Sequence, residues 1–146
     1  MAAKRTARAV WEHDLKSGSG EVTGETGALP RMQVTWAART EAPGGKTSPE
    51  ELLAAAFASC FAMAFSSTLA GAGHPSERLE VRATATFDKV ETGWKVTTMD
   101  VDIGGKVPGL DAKGFETAAR EMAEKGCPIS NAIKGNVAVH VTAHLL

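Results

Sequence analysis

The stretch Thr47-Ser48-Pro49-Glu50-Glu51-Leu52-Leu53-Ala54-Ala55-Ala56-Phe57-Ala58-Ser59-Cys60-Phe61-Ala62-Met63-Ala64-Phe65-Ser66-Ser67-Thr68-Leu69-Ala70 reads as one long helix. Ser48 is placed to cap it, Pro49 suits the first helical position, and Glu51 completes a capping box three residues after Ser48. Gly71-Ala72-Gly73 should stop it. From Leu52 to Ala70 nothing is charged, and only Ser59, Ser66, Ser67 and Thr68 interrupt the apolar residues. The flanks are acidic (Glu50, Glu51, Glu77), where a membrane span would carry Lys or Arg on its cytoplasmic side. The expectation is therefore a helix buried on all sides rather than a bilayer crossing. One small sheet cannot cover that much apolar surface, so a second copy of the helix is the economical cover and an obligate homodimer is expected.

Outward from this helix, the pattern alternates. Residues 5–12 read as a strand, Ser17-Gly18-Ser19-Gly20 as a turn, and Met32 to Arg39 as a half-buried strand broken by Ala42-Pro43-Gly44-Gly45. After the helix, residues 78–90 and 94–103 alternate and are joined at Glu91-Thr92-Gly93 as a hairpin. Asp111 caps a second helix that runs to Lys125 and ends at Gly126. Cys127-Pro128 opens a short helix ending near Gly135, and residues 136–144 form a last strand with Val137, Val139 and Val141 on one face. Strands, long helix, hairpin, two helices, strand is an α+β order, not a doubly wound sheet. At 146 residues the default is a single domain spanning 1–146.

Composition removes several functions. With Lys plus Arg at 16 against Asp plus Glu at 17, the net charge of −1 offers no bulk attraction for a phosphate backbone. Five Phe, three Trp and no Tyr leave few platforms for base stacking, so nucleic acid is not an expected partner. The N-terminal residues 1–8 are basic but lead into Val10-Trp11-Glu12-His13-Asp14 without an apolar run. They do not read as a secretory signal, and a cytoplasmic protein with no membrane partner is expected.

Two motifs look like chemistry and fail on inspection. The segment Thr40 to Thr47 ends in Gly45-Lys46-Thr47 between a strand and a helix, but a phosphate loop needs Gly where Thr40 stands. Pro43 removes a donor there, and Glu50 and Glu51 would repel phosphate. His140 and His144 would pair on a helix. In a strand they lie about 13 Å apart along the chain, and no ligand set forms around them by spacing. No metal and no cofactor are expected.

That leaves the two cysteines, Cys60 and Cys127, too few for a disulfide framework in a chain this long. Cys127 precedes Pro128 at a helix start, where helical N–H groups favour a thiolate. Cys60 lies mid-helix among Phe57, Phe61 and Ala64, where burial would raise its pKa and a small core hydrophobe is the plain reading. Local physics by itself makes Cys127 the reactive thiol.

The sequence around both thiols resembles a known family. The segment Thr47 to Ala64 is similar to the central-helix signature of the OsmC/Ohr thiol peroxidases. Gly126-Cys127-Pro128-Ile129-Ser130-Asn131-Ala132-Ile133-Lys134 resembles that family's second-cysteine motif. Ala9-Val10-Trp11-Glu12-His13-Asp14 and Val107-Pro108-Gly109-Leu110-Asp111 are similar to the OsmC branch. The resemblance covers essentially the whole chain. It implies an OsmC-like fold, with antiparallel sheets wrapped around long central helices in an intertwined homodimer. It also implies a cofactor-free peroxidase acting on organic hydroperoxides, and less on hydrogen peroxide, in oxidative or osmotic stress defence.

By position, the resemblance makes Cys60 the peroxidatic cysteine and Cys127 the resolving one. Glu50 matches the acid after Pro49, and Arg39 the arginine that follows the OsmC-type strand. Attack on peroxide would leave a sulfenic acid on Cys60, which Cys127 would convert to an intramolecular disulfide for an external dithiol to reduce. For the Ohr branch the resemblance implies lipoylated protein dithiols as that reductant. A thiolate mid-helix needs a fixed cation; Arg39 supplies one, and Glu50 would hold it by a bidentate contact. Glu50 and Cys60 lie about 15 Å apart along one helix, so Glu50, with Arg39, is expected from the partner chain. Phe57, Phe61, Met63 and Phe65 are candidates for an apolar substrate entrance or for plain core. The competing class is a non-enzymatic dimeric carrier of apolar ligands with structural cysteines.

Overall fold

A computed structural model describes residues 1–146 as two compact units, 1–52 and 53–146. The first contains an antiparallel sheet of β1 (Ala7–Glu12), β2 (Ser19–Gly24) and β3 (Met32–Val34), in that order, followed by the short helix α1 (Trp36–Thr40). The turn from β1 to β2 is tied by Asp14. Its Oδ1 accepts the Lys16 and Ser17 N–H groups at 2.9 Å, and its Oδ2 accepts the Ser17 hydroxyl at 2.8 Å. Hydrogen bonds from Ser17, backbone first, hold the Asp14 carboxyl below the usual range. Gly18 is required here, because a Cβ would collide with the carbonyls of Glu12 and Asp14.

The alternation read across 32–39 ends earlier than its pattern suggests. Thr35 leaves the strand as the N-cap of α1, its side chain accepting the Ala38 N–H at 3.1 Å. Arg39 therefore lies in the last turn of a helix and not on a strand. A threonine offering a side-chain acceptor to the third residue on overrides a two-residue alternation this short.

Helix α2 (Pro49–Gly71) begins where the sequence predicts. The Glu51 N–H donates to Ser48 Oγ at 3.1 Å, but the Glu51 carboxylate takes the Thr47 hydroxyl at 2.8 Å, so only half of the capping box forms. By length and composition α2 could cross a bilayer. In the second unit it buries one stripe instead: Ala54, Phe57, Phe61, Phe65 and Leu69, spaced three and four apart. The expectation of burial on every side is not met in the single chain, where Met63 is 69% exposed.

The rest of the second unit supplies what that stripe packs against. Strands β4 (Arg78–Val90) and β5 (Gly93–Lys106) form a long hairpin, with a register shift after Thr86. Strand β4 turns Leu79, Val81, Ala83 and Ala85 inward and its charged residues outward. The chain then crosses over through α3 (Ala112–Lys125) and α4 (Pro128–Ile133) to β6 (Ala138–Leu145), which joins β5 in parallel. A return through helices makes the parallel pairing possible, so this sheet, ordered β4-β5-β6, is mixed.

Asp111 caps α3 by accepting the Gly114 N–H at 2.7 Å, and Gly126 ends it at φ 74°. Phe115 of α3 lies directly over Gly105 of β5, where any Cβ would run into its ring. Its ring also meets Phe65 with centroids 5.5 Å apart, which joins helix, sheet and α2 in one core.

Candidate active site

The crossover that makes β6 parallel also delivers Cys127 to the core beside α2. Both thiols are free, Cys60 half-buried and Cys127 only 1% exposed. They pack in the same core, close enough to act on one another's ionisation, and the Ile129 backbone N–H, in the first turn of α4, favours both thiolates.

Cys127 is the N-cap of α4, with Pro128 at the first helical position. Its sulfur accepts the Ser130 N–H at 3.4 Å, its own N–H donates to Ser130 Oγ at 2.7 Å, and the Ser130 hydroxyl donates to the Cys127 carbonyl at 3.0 Å. A cysteine thus fills the place that Ser or Thr takes in an ordinary capping box.

The two sulfurs are driven in opposite directions. Burial pushes the Cys60 thiol up, Cys127 pushes it further, and only the Ile129 N–H acts the other way. Burial also opposes a Cys127 thiolate. It is outweighed by hydrogen bonds from the Ser130 side chain, the Cys60 S–H and the N–H groups of Ser130 and Ile129, which hold Cys127 below the ordinary thiol value. The opposed directions follow the sequence context of each cysteine, one mid-helix and apolar, one at a helix start.

In the first unit Arg39 and Glu50 form a bidentate pair. Arg39 Nη2 donates to Glu50 Oε1 at 2.7 Å and Nε to Oε1 and Oε2 at 3.2 and 3.1 Å. Glu50 is 7% exposed, and the guanidinium also lies 6.0 Å from the Trp36 ring centroid. Arg39 forms one wall of a recess of about 340 Å³, otherwise lined by Trp11, Leu15, Val34, Thr35, Trp36 and Pro49. An immobilised guanidinium bordered by apolar side chains can stabilise an anion while admitting an alkyl chain.

Of the four residues suggested for an apolar entrance, Phe57, Phe61 and Phe65 are 0% exposed; Phe57 stacks on Phe61 with centroids 6.1 Å apart, and Phe61 meets Phe65 at a tilt of 53° and 5.9 Å. Met63 alone stands at the surface. On the outer face of the mixed sheet, His140 Nδ1 meets Asp100 at 2.8 Å and His144 Nδ1 meets Asp102 at 3.5 Å. No three His, Cys, Asp or Glu side chains converge.

Sequence reasoning passed over Ser130 and the Ile129 N–H. The three-residue spacing from Cys127 to Ser130 across Pro128 is a capping-box spacing, the same signal used for Ser48 and Glu51. A cysteine at the cap position concealed it. The Ile129 donor is backbone and leaves no mark in the residue types.

Comparison with known proteins bears on the family and the fold. Residues 42–142 match the family profile described as OsmC-like protein. The chain is 36% identical over 137 residues to the Peroxiredoxin OsmC of Escherichia coli, covering 94% of each protein. It is 30% identical over 107 residues to an organic hydroperoxide resistance protein of Xanthomonas axonopodis pv. citri, covering 69% of each. A crystal structure of an organic hydroperoxide resistance protein OsmC from Legionella pneumophila superposes with a TM-score of 0.72 at 26% identity, over 98% of this chain and 99% of that one. By sequence along nearly its whole length and by fold, the chain belongs to the OsmC family.

Proposed function

We propose that this protein is a thiol peroxidase that reduces organic hydroperoxides to alcohols, with Cys60 as the attacking thiol and Cys127 as the resolving one. The observation that carries the reading is the meeting in one core of two free thiols, distant in sequence, in a chain of the OsmC family.

The Cys60 thiolate attacks one peroxide oxygen, the O–O bond breaks, and the alcohol leaves with a proton while Cys60 becomes a sulfenic acid. Condensation with Cys127 gives a disulfide and water, and an external dithiol, a lipoylated protein in one version, restores both thiols. Since burial and Cys127 both oppose the Cys60 thiolate, the step needs a cation. The Arg39 guanidinium, oriented by Glu50, is the group that answers this need. Ten residues of helix separate Glu50 from Cys60, about 15 Å. The pair that serves Cys60 accordingly belongs to a second copy, docked on the exposed face of α2 around Met63 so that residues 1–146 function as one domain of a homodimer. The recess beside Arg39 accepts the alkyl part of the substrate. Two cysteines, too few for a disulfide framework, fit a reducing compartment, so we place the protein in the cytoplasm, in defence against oxidative or osmotic stress.

The test mixes reduced parent, Cys60→Ser and Cys127→Ser proteins with cumene hydroperoxide and a dithiol. Peroxide loss abolished in Cys60→Ser, and stalled after one turnover with trappable sulfenic acid in Cys127→Ser, is the expected pattern. Unchanged consumption in Cys60→Ser sinks the assignment and returns the protein to the ligand-carrier class.

A further inference from the structure

We propose that Trp11 selects the substrate's organic group, its indole forming with Trp36 an aromatic lining beside Arg39 that takes an aryl hydroperoxide in preference to hydrogen peroxide. The proposal rests on the peroxidase reading and on Arg39 as its cation, and adds the residue that reads the substrate.

The placement of Trp11 begins in the sheet register. Across β1, β2 and β3, Trp11 stands opposite Gly20, and Gly20 opposite Val34. Gly20 leaves empty the position that a side chain would hold, and the indole takes it: a Cβ there would stand 2.8 Å from Trp11 Cε3. At Gly18 a Cβ would stand 2.9 Å from Trp11 Nε1. The ring therefore lies over the start of β2, its N–H end at Gly18 and its benzo edge at Gly20. Two glycines, two residues apart on the face that Trp11 covers, make the room for it.

The ring is also fixed at its polar end. Trp11 Nε1 donates to the His13 carbonyl at 3.1 Å. His13 has φ 68° and is the only residue other than glycine in the left-handed region. Such a conformation costs a side-chain-bearing residue energy and persists only where neighbouring contacts impose it. Here the Gly18 N–H donates to the Asp14 carbonyl at 2.8 Å, the Asp14 carboxylate ties Lys16 and Ser17, and the indole N–H holds the His13 carbonyl itself.

Aromatic side chains do cover strand glycines for purely structural reasons, and such a ring is buried by doing so. The Trp11 ring instead stays 40% exposed and borders the recess of about 340 Å³ with Trp36 and Arg39, all within the first unit. Small-molecule sites run from about 300 to 1,000 Å³, so this one suits a hydroperoxide carrying a single ring. Indoles favour an aryl group through offset and edge contacts, while the guanidinium that Glu50 fixes takes the oxygen end. Hydrogen peroxide has no apolar part to place against Trp11, so that contact separates the two substrates.

The experiment has two arms. In the first, the ratio of kcat/KM for cumene hydroperoxide to that for hydrogen peroxide should fall about tenfold in Trp11→Leu. It should fall less in Trp11→Phe, which keeps a ring and loses the N–H. Structural damage alone lowers both substrates together, so an equal loss or an unchanged ratio overturns the proposal. The second arm needs no turnover and no variant that has to bind. The reduced parent protein has three tryptophans, hence three indole N–H resonances, assigned with Trp11→Phe and Trp94→Phe. On titration with 2-phenyl-2-propanol, the alcohol product of cumene hydroperoxide, the Trp11 and Trp36 resonances should shift and saturate together. Trp94, half exposed on β5 of the second unit, should stay in place. Equal shifts in all three, or none, overturn the proposal. A parent protein that consumes neither peroxide removes the peroxidase reading instead, and the resonances still decide whether Trp11 and Trp36 receive the aryl group.

Discussion

Cys60 and Cys127 meet in the core of the second unit, where burial pushes the Cys60 thiol up while hydrogen bonds at the start of α4 hold Cys127 down. The protein core alone thus prepares the second step of the proposed cycle and not the first. Attack on peroxide requires the proton distribution to be reversed, and only an added cation near Cys60 can do that.

The opposed shifts have a sign that stability measurements can read. Cys127 lies below its ordinary value when folded, so its contribution is fully present above the pKa of the unfolded thiol. It is lost as pH falls through the folded pKa. Urea unfolding of Cys60→Ser should therefore separate from the Cys60→Ser/Cys127→Ser double variant by a gap that widens from mildly acid to alkaline pH under reducing conditions. A gap that is flat with pH contradicts the direction assigned to Cys127.

Arg39 and Glu50 should behave as one element. Arg39→Ala leaves the Glu50 carboxylate nearly buried without its bidentate partner, at a cost of about 1–3 kcal/mol. The double variant with Glu50→Ala should recover part of that loss in a denaturation cycle. Arg39→Lys, which keeps the charge and loses the fork, should lower kcat/KM for cumene hydroperoxide about tenfold or more while the fold is retained. A fully active Arg39→Lys protein excludes the fork from the mechanism.

Met63 tests the assembly. It is the most exposed large apolar residue of α2, and a second copy docked on that face would bury it. A carboxylate placed there would be buried without a partner, so Met63→Asp should convert a dimer to monomer in sedimentation and abolish turnover with both thiols intact. A dimeric, active Met63→Asp protein places the interface elsewhere.

Gly105→Ala should destabilise the second unit by about 1–3 kcal/mol, because the new methyl meets the Phe115 ring directly. Phe115→Leu in the same chain should relieve part of that strain. An unchanged urea midpoint in the single variant would show that β5 and α3 are less closely packed than this contact implies.

Most of the element order was legible because it is written locally. Ser48 and Pro49 start α2, Asp111 and Gly126 bracket α3, and the alternation of β4 and β6 needs only two-residue periodicity. The segment around Arg39 reads as strand in sequence because three alternating residues resemble a longer run, whereas Thr35 caps α1. The parallel pairing of β6 is not marked in its own residues, since a strand with one buried face reads alike in either direction.

For the site, the residue types were readable and their coupling was not. The sequence determines two thiols in different settings, one mid-helix and apolar, one at a helix start beside Pro128, and an arginine and a glutamate eleven residues apart. Those settings already order the two ionisations, because burial and helical N–H groups act over a few ångströms of local chain. Only the tertiary structure decides that the two cysteines meet in one core and that Ser130 closes a capping box on Cys127. These depend on the crossover through α3 and α4, whose length and direction bring α4 against α2. Contacts of that kind come from packing across the chain, which no stretch of neighbouring residues encodes.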